Sequence, residues 1–390
     1  MRILIINPFY YPNEIGGTER VIRILAEGFV SMGHEVAVYT VDSKLKHLVE
    51  DEINGVRVFR GTGGMFNSNE LRRDCVKGYK QVRNSIIQIY NTGIKKELET
   101  LLRVFKPEIC HTNNLYGFST YLWKIIHDND IPLVHTTHDY WLLNRLNILF
   151  TKHYAKYVQC VTSPSNYVLN KYSGIFQNAQ YVCIPNAVEL DEAFIKNNRE
   201  RAIARIGESP TIRFIYAGQL ESIKGVKEMI DAFMEINSHE IELIICGQGR
   251  LQSYVKDCAD KDSRIKYLGK LSYLELEKIY KSGNVLMAPS KWEEPFGMVA
   301  IEAFIFGLPV IGSKRGGLQE IIEGLNCGVT LDNVTKNELK KAISEMMDRQ
   351  VICDTILYRN EDRIVKYDKQ KQIVDFINWY KRAIERKNMK

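Results

Sequence analysis

Twice along this chain, short apolar strand-like runs alternate with amphipathic helical stretches, and that rhythm restricts the fold to parallel sheets built from βαβ units. The first series opens with RILIINP. A helical stretch from Thr18 to Met32 follows, in which Val21, Leu25 and Phe29 share a face, and Gly33 ends it before the strand EVAVYT. EICHT, LVHTTH, YVQCVTS and YVCIPN continue the series. A second series begins afresh with TIRFIYAG and runs through IELIICGQG, IKYLG, NVLMAPS, LPVIGS and CGVTL. Between the two, NAVELDEAFIKNNRERAIARIGESP is charged and lacks strand character. With 390 residues, the chain also exceeds what one hydrophobic core usually accommodates. The expected organisation is an α/β domain over residues 1–187, a linker over 188–210, a second α/β domain over 211–370, and a terminal helix over 371–390 packing back on the first. Two doubly wound domains would present the carboxyl ends of their strands to each other across a cleft.

A net charge of +6 is too small for a dedicated nucleic-acid binder unless it is concentrated. It is concentrated between Arg57 and Lys106, where eleven Lys/Arg stand against four Asp/Glu. The eight cysteines form no CxxC pair and several lie in apolar runs, the usage expected of reduced thiols in a cytoplasmic protein. MRILIINPFYYP does not read as a secretory signal. The longest nearly apolar run, Met298 to Gly312, contains Glu302 and Pro309 and is too short to cross a bilayer. The histidines show no metal-ligand spacing, so no metal site is expected.

The densest constellation of chemistry-bearing residues is SKWEEPFGMVAIEAFIFGLPVIGSKRGGLQE. Pro295 and Gly297 place Glu294 in a loop, and Glu302 falls in the helix that follows. A helix starting near Gly297 leaves the amides of Phe296, Gly297 and Met298 for hydroxyl or phosphate oxygens. Carboxylates beside such a turn suit the paired hydroxyls of sugars and riboses. A helix-stabilising salt bridge explains Glu302 equally well on spacing alone. Gly16-Gly17, after the first strand and before a helix with Thr18 as N-cap, has the form of a phosphate approach site, although a plain turn has the same signature and the GxGxxG dinucleotide fingerprint is absent. Gly218-Gln219-Leu220 closes the first strand of the second series, and Lys224 stands at the crossing to the next helix, where a lysine can serve as a point charge for a diphosphate or simply be solvated. His138-Asp139 follow a strand at its carboxyl end, in the position of a site residue or of a satisfied structural histidine.

In order, GGTE, THD, PSNYV, IPNAVE, GQL with KG, GQGRL, YLG, EEPFGMVAIEA, GLPV and GGLQE resemble the pattern of retaining glycosyltransferases of family four, from about residue 1 to 335. The resemblance implies a GT-B fold of two Rossmann-like domains, with a nucleotide-sugar donor held mainly by the second and an acceptor by the first. It implies that Glu302 holds the donor ribose, that Glu294 and the amides of Phe296 to Met298 hold the transferred sugar and its phosphate, and that Lys224 holds the diphosphate. Gly16 and Gly17 would lie against the diphosphate, His138 would contact the sugar, and the backbone at Lys270 would meet the nucleobase. Gln219 departs from the pattern: the family usually has Arg there, and Arg250, Lys314 or Arg315 is the expected replacement for that cation.

The resemblance further implies front-face substitution without a protein nucleophile or metal, and a hexosyl donor, with UDP favoured, serving a glycan or lipid-linked acceptor of cell-surface polysaccharide or glycolipid synthesis. The other readings open to the sequence are a nucleotide-sugar epimerase of similar fold and a non-catalytic nucleotide-sugar-binding protein. Residues 72–106 interleave cations with Val, Ile, Leu and Tyr, a composition suited to peripheral contact with an anionic membrane at the inner face, or to a solvated helix face beside a polar acceptor site.

Overall fold

The computed structural model describes residues 1–13, 17–42, 44–63, 91, 93–144 and 147–388. Its contacts divide the chain into two units, Met1–Val188 with Lys366–Lys390, and Glu189–Val365.

The N-terminal unit holds an eight-stranded sheet, β1 (Arg2–Ile6), β2 (Glu35–Val41), β3 (Val49–Ile53), β4 (Val56–Gly61), β5 (Ile109–Thr112), β6 (Leu133–Thr136), β7 (Cys160–Ser163) and β8 (Gln180–Cys183), in the order β3-β4-β2-β1-β5-β6-β7-β8. The chain starts in the middle, builds outward to one side and then returns to the other, so the order reverses between β1 and β5, paired in parallel with Ile6 beside Thr112. The central strands are buried on both faces, which explains why they read as continuous apolar runs.

The sequence reading omits β3 and β4. β3, VEDEI, carries three exposed acidic residues and pairs antiparallel to β4 at the sheet edge, where charge discourages pairing with another chain. Its signal is Asn54-Gly55 between Ile53 and Val56: both residues have positive φ, as a two-residue hairpin turn requires.

The second unit holds β9 (Ile212–Ala217), β10 (Ile241–Cys246), β11 (Ile265–Gly269), β12 (Val285–Ala288), β13 (Val310–Ser313) and β14 (Gly328–Leu331), all parallel, in the order β11-β10-β9-β12-β13-β14. Here the order reverses between β9 and β12. Where a linker over 188–210 is expected, the chain forms the helix Glu192–Glu208. Asp191 caps it by accepting from the Phe194 amide at 3.0 Å, and Ile195, Asn198, Ala202 and Ile206, buried at helical spacing among the charges, place it in the second unit. The terminal helix, Lys369–Asn388, adds Ile373, Phe376, Tyr380 and Ala383 to the N-terminal core.

Seven cysteines among the described residues are free, five of them buried. No helix among the described residues is long and apolar enough to cross a membrane. Residues 64–90, the greater part of the basic segment, lie outside the described residues. Its described end, the helix Gly93–Phe105, turns Ile94, Leu98, Leu101, Leu102 and Phe105 into the N-terminal core, so these apolar residues are not available to a bilayer.

Candidate functional site

In an open parallel sheet, ligands bind at the carboxyl ends of the strands where the order reverses. In the second unit that point lies between β9 and β12, and the two loops leaving those strands meet there. The loop after β9 ends in a 3-10 turn, Ser222–Lys224, and Gly225 caps the helix Val226–Met234 that follows. Gly225 has φ +70°, and a Cβ there would run into the Pro289 carbonyl after β12, so only glycine lets the two loops come this close. The Lys291 and Trp292 amides both donate to the Ile223 carbonyl, at 2.8 and 3.1 Å. This seating brings Lys224 Nζ to 2.5 Å from Glu294 Oε1, with both side chains about one-fifth exposed.

Glu294 opens the turn into the helix Met298–Ile305. Gly297, at its N-cap with φ +114°, makes no side-chain cap to the first turn, and leading amides of this kind suit an external acceptor. Behind the turn, the Gly317 amide donates to the Glu294 carbonyl at 2.7 Å, and a Cβ at Gly316 would strike the Glu294 backbone. The glycine pair of GGLQE therefore buttresses the loop that presents Glu294. Further along the helix, Glu302 Oε2 accepts from the hydroxyl of Tyr280 at 3.0 Å.

Gln219 is exposed on the β9 loop, and its carbonyl accepts from the hydroxyl of buried Tyr216 at 2.7 Å. Burial first, and then the carboxylates of Glu294 and Glu221, push that phenol well above its ordinary pKa. Of the cations near this loop, the Arg250 amide donates to Glu221 at 3.2 Å, Lys314 pairs with Asp332 at 3.1 Å, and Arg315 Nη1 donates to the Lys291 carbonyl at 3.2 Å. Lys270 is exposed just past β11, at the far edge of the sheet.

The N-terminal unit has its own reversal point, between β1 and β5. Asn113, just past β5, donates its backbone N–H to the Ile6 carbonyl at 2.9 Å, and its Oδ1 lies 2.9 Å from His138 Nε2. An amide oxygen only accepts, so the neutral imidazole carries its hydrogen on Nε2. His138 Nδ1 and Asn113 Nδ2 are buried without a partner among the described residues, and both residues line a small cavity with Trp141 and Tyr172. Burial holds the His138 pKa down at about 4. Gly17 is the first residue of the helix Gly17–Ser31, which puts Thr18 inside the helix rather than at its cap; Gly16 lies outside the described residues.

The structure thus brings Lys224, Glu294, Gly297, Met298 and Glu302 to one edge of one unit, with Phe296 buried behind them, and places His138 and Gly17 in the other. Sequence reasoning missed Tyr280 and Asn113, because each acts through a residue distant in the chain.

Residues 198–370 match the family model described as Glycosyl transferases group 1, and residues 15–192 match that described as Glycosyltransferase Family 4. Together the two models span most of residues 15–370, and they identify the chain as a glycosyltransferase. An uncharacterized protein in the cps region of Klebsiella pneumoniae is 26% identical, over 82% of this chain and 87% of its own. The glycogen synthase of Mycobacterium tuberculosis is 24% identical, over 89% and 86%. Among solved structures, sucrose-phosphate synthase from Thermosynechococcus elongatus superposes with a TM-score of 0.74 at 18% identity, covering 98% of this chain and 99% of that one. Anabaena HepE, in complex with UDP-glucose, gives 0.65 at 17%, covering 97% and 100%. The fold of this glycosyltransferase is GT-B, two α/β domains with parallel sheets.

Proposed function

We propose that this glycosyltransferase is a retaining hexosyltransferase that moves a sugar from a nucleoside-diphosphate donor, UDP favoured, to a glycan or lipid-linked acceptor in cell-surface polysaccharide or glycolipid synthesis. The observation that carries this reading is the Lys224–Glu294 pair at the β9/β12 reversal point, beside a helix N-terminus that has no side-chain cap. A cation and exposed amides suit a diphosphate, and a carboxylate beside them suits the hydroxyls of the attached sugar. The relatives support this substrate class: they include a glycogen synthase and a lipopolysaccharide 1,2-N-acetylglucosaminetransferase, and HepE was solved with UDP and with UDP-glucose.

In this reading the acceptor hydroxyl attacks from the face the diphosphate leaves, and a leaving phosphate oxygen takes its proton. Lys224 and the amides of Gly297 and Met298 hold the charge that develops on the diphosphate. Glu294 orients the sugar, Glu302 the ribose, and the backbone at Lys270 the base; Gln219 lies along the diphosphate, and His138, in the N-terminal unit, contacts the transferred sugar. These protein groups are assigned the work that a metal performs in other transferases.

Incubation with a panel of nucleotide sugars and candidate acceptors tests the reading: a product retaining the donor's anomeric configuration supports it, whereas an isomerised donor or binding without turnover overturns it. Activity is expected to persist in EDTA, and abolition by chelation with restoration by magnesium or manganese would remove the metal-independent assignment. Peripheral membrane contact, where proposed, rests on the cations of 72–106. Flotation with anionic vesicles that is indifferent to charge reversal at Arg72, Arg73, Lys77 and Lys80 would end it.

A further inference from the structure

Tyr280 lies on the helix Tyr273–Ser282, ahead of β12, yet its hydroxyl reaches across to the helix after β12, where it donates to Glu302 Oε2 at 3.0 Å. The phenol ring is fully buried and packs against Phe306 with centroids 5.4 Å apart. Glu302 itself is only half-buried, on a helix whose side chains lean toward its N-terminus and hence toward the carboxyl ends of the strands. A glutamate has three side-chain torsions, and the last is broad, so an unanchored carboxylate samples many planes. A rigid buried phenol that grips one oxygen removes most of that freedom.

We propose that Tyr280 is a positioning residue for nucleotide selection: by fixing the carboxylate plane of Glu302 it presents that group to the adjacent 2′ and 3′ hydroxyls of a ribose, and so makes the enzyme choose ribonucleotide over deoxyribonucleotide donors. The proposal rests on the assignment of Glu302 to the ribose. A phenol suits the task better than a lysine or arginine, because a neutral donor orients the carboxylate without neutralising it and leaves its charge to attract the hydroxyls. Burial, and then the neighbouring Glu302, hold the Tyr280 hydroxyl protonated well beyond its ordinary range, so it remains a donor at any working pH.

The test compares dissociation constants for UDP, GDP, ADP and CDP with those for their 2′-deoxy forms, in the wild type, Tyr280→Phe, Glu302→Gln and the double variant, with thermal melting as a check on folding. The wild type is expected to prefer the best ribonucleotide by roughly 10- to 100-fold, the range set by one hydrogen bond to a charged group. Tyr280→Phe, which keeps the ring, is expected to lower that preference several-fold while the deoxynucleotide binds about as before, and to add nothing in the Glu302→Gln background. If Glu302→Gln erases the preference and Tyr280→Phe leaves it whole, Tyr280 is packing alone and the proposal falls. If Glu302→Gln itself leaves the preference whole, or no nucleotide binds, the ribose assignment of Glu302 fails instead.

Discussion

The two reversal points are built from opposite materials. In the second unit, between β9 and β12, the side chains are charged and partly exposed: Lys224 against Glu294, and Glu302 under Tyr280. In the first unit, on β5, the adjoining β6 and the loops that leave them, they are neutral and sunk in the core. His111 shares a 2.6 Å hydrogen bond with Thr136 and a 2.7 Å one with Tyr380, His135 bonds Thr112 at 2.9 Å, and His138 bonds Asn113. The same βαβ framework therefore supports two chemistries. A charged edge that water reaches can hold a polyanion, whereas a buried network of neutral donors and acceptors suits hydroxyl groups and gives rigidity.

That division is broken most directly at Lys224. Lys224→Gln keeps a donor near Glu294 but removes the charge, and is expected to lower kcat by about 10²- to 10³-fold, as loss of one preorganised stabilising group does. His138→Ala, which removes a neutral group, is expected to cost less, about tenfold. Steady-state kinetics on both variants decide the matter: a larger loss at His138 than at Lys224 would invert the assignment of the two edges.

Acid sharpens the comparison. Burial lowers the pKa of His135 to about 3 and of His138 to about 4, and holds that of His111 well below its ordinary value. An unfolded histidine takes up a proton near pH 6.5, so below that value the unfolded state binds more protons than the native one and stability falls. The loss begins near pH 6.5 and, with His135 at about 3, continues down to about that value; for His138 alone it reaches roughly 3 kcal/mol at pH 4. The second unit has a single histidine, His239, which is exposed. Hydrogen exchange between pH 7 and 4.5 is therefore expected to show the N-terminal unit opening first, with a shallower slope in His138→Asn. Equal acid sensitivity in both units would show that the buried imidazoles do not govern the effect.

What was legible in the sequence was whatever obeys a local period. Twelve of the fourteen strands are apolar runs, and the glutamates of the second site lie eight residues apart in one segment. β3 escaped because an exposed edge strand has no apolar face to display, and the helix Glu192–Glu208 escaped because its four buried positions are diluted by charge. The pairings Lys224–Glu294, Tyr280–Glu302 and Asn113–His138 are set by which strands the sheet makes neighbours, and a linear pattern does not carry that information.

The smallest effect is expected at the one departure from the family pattern. Gln219 is neutral where an arginine is usual, and three nearby basic residues were candidates to replace its charge. Arg250 lies against Glu221 and Lys314 against Asp332, so each already faces a carboxylate. Arg315 differs: among the described residues it makes no ion pair, it donates to the Lys291 carbonyl, and it stands directly before the glycine pair that buttresses Glu294. On the proposed reading its charge is the one that serves the diphosphate. Arg315→Ala is accordingly expected to weaken nucleoside-diphosphate binding by roughly 10- to 100-fold, the worth of one charge-assisted hydrogen bond. Gln219→Arg in the otherwise unaltered enzyme is expected to change it by less than about threefold, since one cation already serves that position. Combined with Arg315→Ala, the same substitution should recover most of the lost affinity. A strong gain from Gln219→Arg alone would mean that the charge is missing rather than moved, and the charged edge of the second unit would then be weaker than its geometry implies.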